Sequence, residues 1–283
     1  MQPEQSLYSD IKEAFKIFEK EYDVQILIAG LGGSSSIGTN NALSDLDIYV
    51  VYDSSGILPR KIRYKTPQNN EIHIISCSYD EIMRTVHEYN DETHLYPSYL
   101  NRTPEEMELN QKLTMYERKD YPRSLVYYTL MADTVWNLDV SYEACYEKFQ
   151  DALIISDILD FYYTKAYGNY EHFIFDRKEV FARKYITTVQ EVLYCRWMCD
   201  KQTIPPMDVK DLIKEYEHTF SEELKEEIAG VYDANLSATE DKFKAVVPSS
   251  QILNDFLYEA LCDMKKLFAM LKDKRFAIQQ KEC

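Results

Sequence analysis

The chain has 283 residues, 45% of them hydrophobic, and its 48 acidic side chains outnumber the 32 basic ones to give a formal net charge of −16. This length accommodates two modest cores, and no apolar run approaches the roughly 18 residues of a membrane span, so a membrane-embedded protein is excluded as an expectation. So acidic a surface repels a long phosphodiester and disfavours extended nucleic-acid binding, while six scattered cysteines without disulfide spacing fit a reducing, cytoplasmic setting.

Residues 1–5 lack the basic start and apolar core of a secretory signal, so no export is expected. Ile11, Ala14, Phe15 and Phe18 then recur at helical spacing, which predicts a helix over 9–22 that covers a sheet face. The apolar run 25–29, bounded by glycine, reads as a strand. Four of the chain's seven glycines follow within nine residues, 30–38, in the order Gly30, Gly32, Gly33 and Gly38, with Ser34, Ser35 and Ser36 among them.

Residues 44–52 form the next strand. Successive strand side chains point to opposite faces, so Asp45, Asp47 and Tyr49 share one face while Leu46, Ile48 and Val50 share the other. Two carboxylates one pleat repeat apart repel each other unless a cation sits between them, and hard oxygen donors suit Mg²⁺ or Mn²⁺. The preceding turn supplies the complement: backbone N–H groups around Gly33, Ser34 and Ser35, entering a short helix, make an anion cradle with the Ser34 hydroxyl as an extra donor.

Residues 53–56 predict a turn. The basic block from Arg60 to Lys65 reads either as a guide for a phosphate group or as a solvated hairpin. A third strand over 71–76 carries Glu71 and His73 on one face, and a helix follows over 79–89. The proline-containing stretch 90–122 holds the domain change, which gives domains 1–118 and 119–283. Beyond it the periodicity is helical, with helices over 122–138, 141–167, 177–200, 208–216, 221–232 and 249–271, the last bearing a broad apolar stripe after serine caps. Cys195 and Cys199, four apart on one of these helices, lack a second ligand pair and read as packing residues.

A Gly-Ser turn, about ten intervening residues and then Asp-x-Asp, here Gly33, Ser34, Asp45 and Asp47, resembles the signature of the nucleotidyltransferase superfamily related to DNA polymerase β. Arg183-Lys184-Tyr185, Cys195-Arg196-Trp197 and Ile204-Pro205-Pro206-Met207 resemble the helical part of the predicted nucleotidyltransferases of RNA-repair pathways. Ser35 and Tyr49 stand where that subgroup usually has arginines.

The resemblance implies an α+β fold, a polymerase-β-type domain with a small mixed sheet flanked by helices, followed by an all-helical domain that closes a nucleotide cleft. It implies an enzyme that moves a nucleoside monophosphate from an NTP to an acceptor hydroxyl and releases pyrophosphate, with Mg²⁺ or Mn²⁺ as cofactor and an RNA end, a small molecule or a protein as acceptor. Asp45 and Asp47 would ligate metal, and Glu71 would complete the set as the third acid, with His73 as its rival for that position. Gly33, Ser34 and Ser35 would hold phosphate, joined by Arg183 and Arg196 from the helical half. The alternative reading is a catalytically silent nucleotide-binding or toxin–antitoxin-like interaction protein.

Overall fold

The computed structural model describes residues 5–40, 44–54, 56, 58–66, 71–90, 125, 129, 135–137, 155–238 and 245–268. They fall into two compact units: a sheet unit drawn from 1–36 and 45–152, and a helical unit drawn from 37–44 and 153–283.

The sheet unit opens with helix α1 (Gln5–Tyr22), strand β1 (Gln25–Leu31) and the single-turn helix α2 (Gly33–Ser36). Strands β2 (Leu46–Asp53), β3 (Lys61–Lys65) and β4 (Glu71–Ser78), helix α3 (Tyr79–Asn90) and strand β5 (Val135–Asn137) follow. The strand order is β3-β4-β2-β1-β5, with β2 and β4 parallel and every other pair antiparallel. This is the small mixed sheet expected from the resemblance. The predicted helix stripe covers it: Ile11, Phe15 and Phe18 of α1 pack with Ile26, Ile48, Val50, Tyr52, Ile72 and Ile74 in one buried cluster. Leu46, Ile48 and Val50 thus turn inward, and their alternation leaves Asp45 and Asp47 on the other face.

Two stretches differ from expectation. Residues 135–137, the end of a predicted helix, form β5 and pair with β1 through Gly30↔Val135. An apolar strand edge such as that of β1 favours any short segment able to satisfy its backbone groups, and this tertiary gain overrides local helical patterning. Likewise the predicted helix over 177–200 begins only at Ala182, because Glu179–Phe181 form strand β6 and pair with strand β7 (Val246–Pro248). Of the predicted helix over 122–138, Leu125 and Thr129 are helical, with the Thr129 hydroxyl donating to the Leu125 carbonyl at 2.8 Å; its remaining residues lie outside the described ones, as do the domain-change stretch beyond Asn90 and the first part of the helix over 141–167.

The helical unit contains α4 (Ile155–Asn169), a π turn (Tyr170–Ile174), α5 (Ala182–Lys201), α6 (Val209–Tyr216), α7 (Glu222–Leu236) and α8 (Gln251–Phe268). Helix α5 is its axis, with Tyr185, Ile186, Val189, Val192, Leu193, Tyr194, Cys195 and Met198 all buried. Apolar residues around most of its circumference are the mark of a helix enclosed by others. Glu191, also buried, lies 3.2 Å from Lys165 Nζ and accepts from Asn169 Nδ2 at 2.9 Å. Burial raises its pKa, with Lys165 opposing.

Capping sets the helix starts. Asp208 accepts from the Lys210 N–H and opens α6, and Ser221 accepts from the Leu224 N–H at 3.2 Å and opens α7. Each cap satisfies one of the N–H groups that a helix start leaves without an intrahelical partner. Ser221→Ala is expected to lower stability by about 1 kcal/mol, read as a fall in the urea midpoint at unchanged m.

The segment that leaves the glycine-rich turn belongs to this helical unit. The Val209 N–H donates to the Ile37 carbonyl at 3.2 Å, the Tyr232 hydroxyl donates to the Gly38 carbonyl, and Asn235 Nδ2 donates to the Thr39 carbonyl at 2.9 Å. Gly38 has φ +71°, and the Asp208 carboxylate occupies the space that a Cβ there would need, so only glycine fits this position without displacing a helix cap.

A candidate metal and phosphate site on the sheet

The parallel pairing of β2 with β4 sets Asp47 opposite His73, and the two strands together build the site. His73 Nδ1 lies 2.9 Å from Asp45 Oδ2 and 3.1 Å from Asp47 Oδ1. Its other ring nitrogen, Nε2, lies 2.7 Å from Glu71 Oε1. The His73 side chain is 4% exposed, whereas those of Asp45 and Asp47 are 20% and 18% exposed. Buried imidazole thus sits beneath carboxylates that reach solvent.

The Asp47 carboxylate holds the His73 pKa above its ordinary value, against the opposing effect of burial. Glu71 is displaced the other way, to below the usual carboxylate value, mainly by its hydrogen bond to His73. Both directions have one cause: the carboxylates on either side of the ring favour the charged form of His73, and His73 favours the charged form of Glu71.

Ligand atoms of Asp45, Asp47 and His73 all fall within 4.8 Å of one another, which makes them the group able to hold a metal among the described residues. Two carboxylates and one imidazole form a mixed oxygen and nitrogen set that fits a divalent ion such as Mn²⁺ or Mg²⁺. Nδ1 of His73 would be the nitrogen offered to such an ion, and Glu71, 2.7 Å from Nε2, would fix the ring, the usual arrangement behind a ligating histidine. Glu71, expected as the third acid, therefore reaches the group through His73, and His73 is the side chain that meets the two aspartates.

The glycine-rich turn is seated on the same strand. The Gly32 N–H donates to the Asp47 carbonyl at 2.8 Å, and Ser36 Oγ donates to the Gly33 carbonyl at 3.0 Å. Gly33 has φ +60°, and a Cβ on it would overlap the Asp47 carboxylate. At Gly32 a Cβ would overlap the ring of Tyr49, which is 6% exposed. Tyr49 occupies one of the two positions where the resembling subgroup has arginine, and here its ring packs beneath the turn. Ser34 is buried and Ser35 half-buried within α2. These contacts bring Gly33, Ser34 and Ser35 to the edge of the aspartate pair.

The basic block resolves into β3, beside β4 at the sheet edge. Arg60 Nη2 pairs with Glu81 at 2.6 Å, Lys61 Nζ lies 4.0 Å from Asp47 Oδ1, and Arg63 Nε lies 3.8 Å from Glu71 Oε1. Lys61 and Arg63 are cations of the site that the sequence places only in a block, without partners. Their signal was the alternation of Lys61, Arg63 and Lys65, which a strand sends to one face.

Arg183 and Arg196 belong to the helical unit, and α5 does not bring them together. Thirteen residues of helix separate them, about 20 Å along the axis. Arg196 stacks over the Tyr216 ring at 4.6 Å, donates to Thr219 Oγ1 at 3.2 Å and pairs with Asp200 at 3.8 Å. Arg183 is half-buried near the start of α5. Its neighbour Lys184 lies 3.9 Å from the Phe173 ring centroid and donates to Asn169 Oδ1, and burial lowers its pKa. Cys195 is buried and Cys199 half-buried, both as free thiols.

Residues 108–280 match the RlaP family, described as the RNA repair pathway DNA polymerase beta family. No curated protein matches the chain. Among solved structures the chain is similar to spectinomycin adenyltransferase AAD(9) from Enterococcus faecialis with ATP and spectinomycin, at 12% identity and a TM-score of 0.47, over 90% of this chain and 99% of that one. It is also similar to a nucleotidyltransferase-like protein from Exiguobacterium sibiricum 255-15, at 12% identity and a TM-score of 0.25, over 92% of this chain and 75% of that one. No helix among the described residues is long and apolar enough to cross a membrane.

Proposed function

The chain belongs to the RNA repair pathway DNA polymerase beta family, a nucleotidyltransferase-like family, and from that premise we propose that it transfers a nucleoside monophosphate from an NTP to an acceptor hydroxyl in a metal-dependent reaction. The acceptor class is an RNA end or a small molecule. The observation that carries the reading is the convergence of Asp45, Asp47 and His73 within 4.8 Å, beside the Gly33 turn that Asp47 of β2 seats.

In the reaction the acceptor oxygen bonds to the α-phosphorus, the bond from that phosphorus to the bridging oxygen breaks, pyrophosphate leaves, and the hydroxyl proton passes to a carboxylate. A divalent ion held by the two aspartates would supply charge neutralisation at the phosphates and would lower the pKa of the acceptor hydroxyl. The chain's own groups do the rest. Asp45 and Asp47 hold their oxygens on one strand face, and His73 offers Nδ1 to the same point. Glu71 holds the far side of the ring, and the N–H groups of Gly33, Ser34 and Ser35 meet the outer phosphates as a backbone nest. Lys61 and Arg63 offset the negative charge that a triphosphate would otherwise face.

Thermal melting with each of the four NTPs and Mg²⁺ or Mn²⁺ tests the reading. One NTP is expected to raise the melting temperature only when metal is present, and a ligand at a hundred times its Kd stabilises the native state by about 2.7 kcal/mol. If no nucleotide shifts the melt with either ion, and none releases pyrophosphate with RNA ends or polyhydroxylated small molecules, the reading fails.

A further inference from the structure

The helical unit carries a second feature that the transfer reaction does not use. The chain leaves α4 through the π turn, where the Phe175 N–H donates to the Tyr170 carbonyl at 2.8 Å, five residues back. A π turn inserts one residue into the helical repeat, and such insertions recur at functional sites. Here it brings Tyr170 and Phe175 together, with ring centroids 6.0 Å apart and planes at 42°, while Tyr258 of α8 stands 6.4 Å from Tyr170 at 36°. Tyr163 and Tyr167, one turn apart on α4, stack at 6.2 Å.

These five rings and the Glu171 carboxylate surround an open cavity of about 310 Å³. The Tyr167 hydroxyl donates to Glu171 Oε1 and holds that carboxylate in place. Phe175 and Tyr258 are 60% and 57% exposed at the rim, so their rings are open to a ligand from solution. Leu261 and Cys262 complete the wall, so no lysine or arginine lines the cavity among the described residues.

We propose that this cavity binds a small organic cation through an alkylammonium group. Aromatic faces carry the negative side of the ring quadrupole, and several of them around one point attract a cation that is only weakly hydrated. The carboxylate adds a full negative charge at the same place, and the net charge of −16 favours approach of a cation from solution. A nucleotide base is the disfavoured occupant. Rings tilted by 36–42° make a cup instead of a parallel-walled slot, and Glu171 repels any phosphate that arrives with the base. The described residues that line the cavity all belong to the helical unit, so the proposal stands or falls independently of the acid cluster on the sheet.

Calorimetric titration of the full chain with choline, and with its uncharged carbon isostere 3,3-dimethylbutan-1-ol, tests the proposal. Choline is expected to bind saturably and the isostere at least about tenfold more weakly, because only the charge differs. Tyr258→Ala and Glu171→Gln, both at exposed positions, are each expected to weaken choline about tenfold with the thermal melt unchanged. Cys262 gives a second readout: choline is expected to slow its alkylation by iodoacetamide, followed by peptide mass spectrometry. Absence of saturable choline binding, an isostere that binds as well as choline, or binding that survives both substitutions would overturn the proposal.

Discussion

Asp47→Asn is expected to cut pyrophosphate release by at least about a thousandfold, because metal stabilisation of the transferring phosphoryl group is worth several kcal/mol and each 1.36 kcal/mol is a factor of ten. Asparagine keeps the volume and one acceptor oxygen, so the strand and its pairing with β4 remain. What goes is the charge. Asp47 ties three parts of the site together: it shares His73 Nδ1 with Asp45, lies 4.0 Å from Lys61, and lends its backbone carbonyl to the Gly32 N–H. A steady-state assay with the NTP identified by melting reads the loss, and circular dichroism reads the fold. A variant that folds and keeps more than a tenth of the wild-type rate would remove the aspartate pair from the chemistry and return attention to the interaction-protein alternative.

Gly33→Ala is expected to damage both activity and stability, by two separate routes. The backbone there has φ +60°, a left-handed conformation that costs an L-residue about 1–2 kcal/mol. The new methyl would also overlap the Asp47 carboxylate and push it off His73. Since a misplacement of about 1 Å in a reacting assembly costs on the order of a hundredfold in rate, the transfer rate should fall by at least that factor. Urea unfolding and pyrophosphate release read the two losses. Gly230→Ala is the control: Gly230 lies inside α7, and among the described residues no neighbour comes within 4 Å of the position a Cβ would take, so the change should stabilise by up to about 1 kcal/mol and leave the rate alone. Equal effects of the two substitutions would mean that Gly33 is merely flexible chain and holds nothing in register.

The parts of this architecture that local chemistry dictates were legible. Ile11, Phe15 and Phe18 at helical spacing gave α1, the apolar run before Gly30 gave β1, and the alternation from Asp45 to Val50 gave both the strand and the face on which its acids lie. The predicted helices that begin at 208 and 221 start where Asp208 and Ser221 cap α6 and α7, their side chains satisfying N–H groups that have no intrahelical partner. The likeness of residues around Arg183, Arg196 and Pro205 to an RNA-repair subgroup falls within the stretch 108–280 that matches that family.

Other parts depend on pairings that no local window contains. The offset between β2 and β4 determines that Asp47 faces His73, and alternation within each strand is equally compatible with a slip of two residues that would have faced it with Glu71. For that reason the sequence left Glu71 and His73 as rivals, whereas the structure sets one behind the other. Strand β3 reads as a charged hairpin because an edge strand has one solvated side and needs few apolar residues. Three-residue strands such as β5, β6 and β7 fall below the length at which any period can be counted. The π turn has no compositional signature at all.

The two hydrogen bonds that Tyr232 and Asn235 make to the Gly38 and Thr39 carbonyls join positions 194 and 196 residues apart. Contacts of such separation form only after a large loop has closed, and they slow folding accordingly. A ribosome delivers the glycine-rich turn early and its tether late. At about 5–20 residues per second, the nascent chain carries residues 37–39 for on the order of ten seconds or more before α7 emerges to receive them. The strands that bear Asp45, Asp47 and His73 can pair during that interval, but the exit of the turn between them waits for the far end of the polypeptide, so a truncated product lacks the partner of its own first loop.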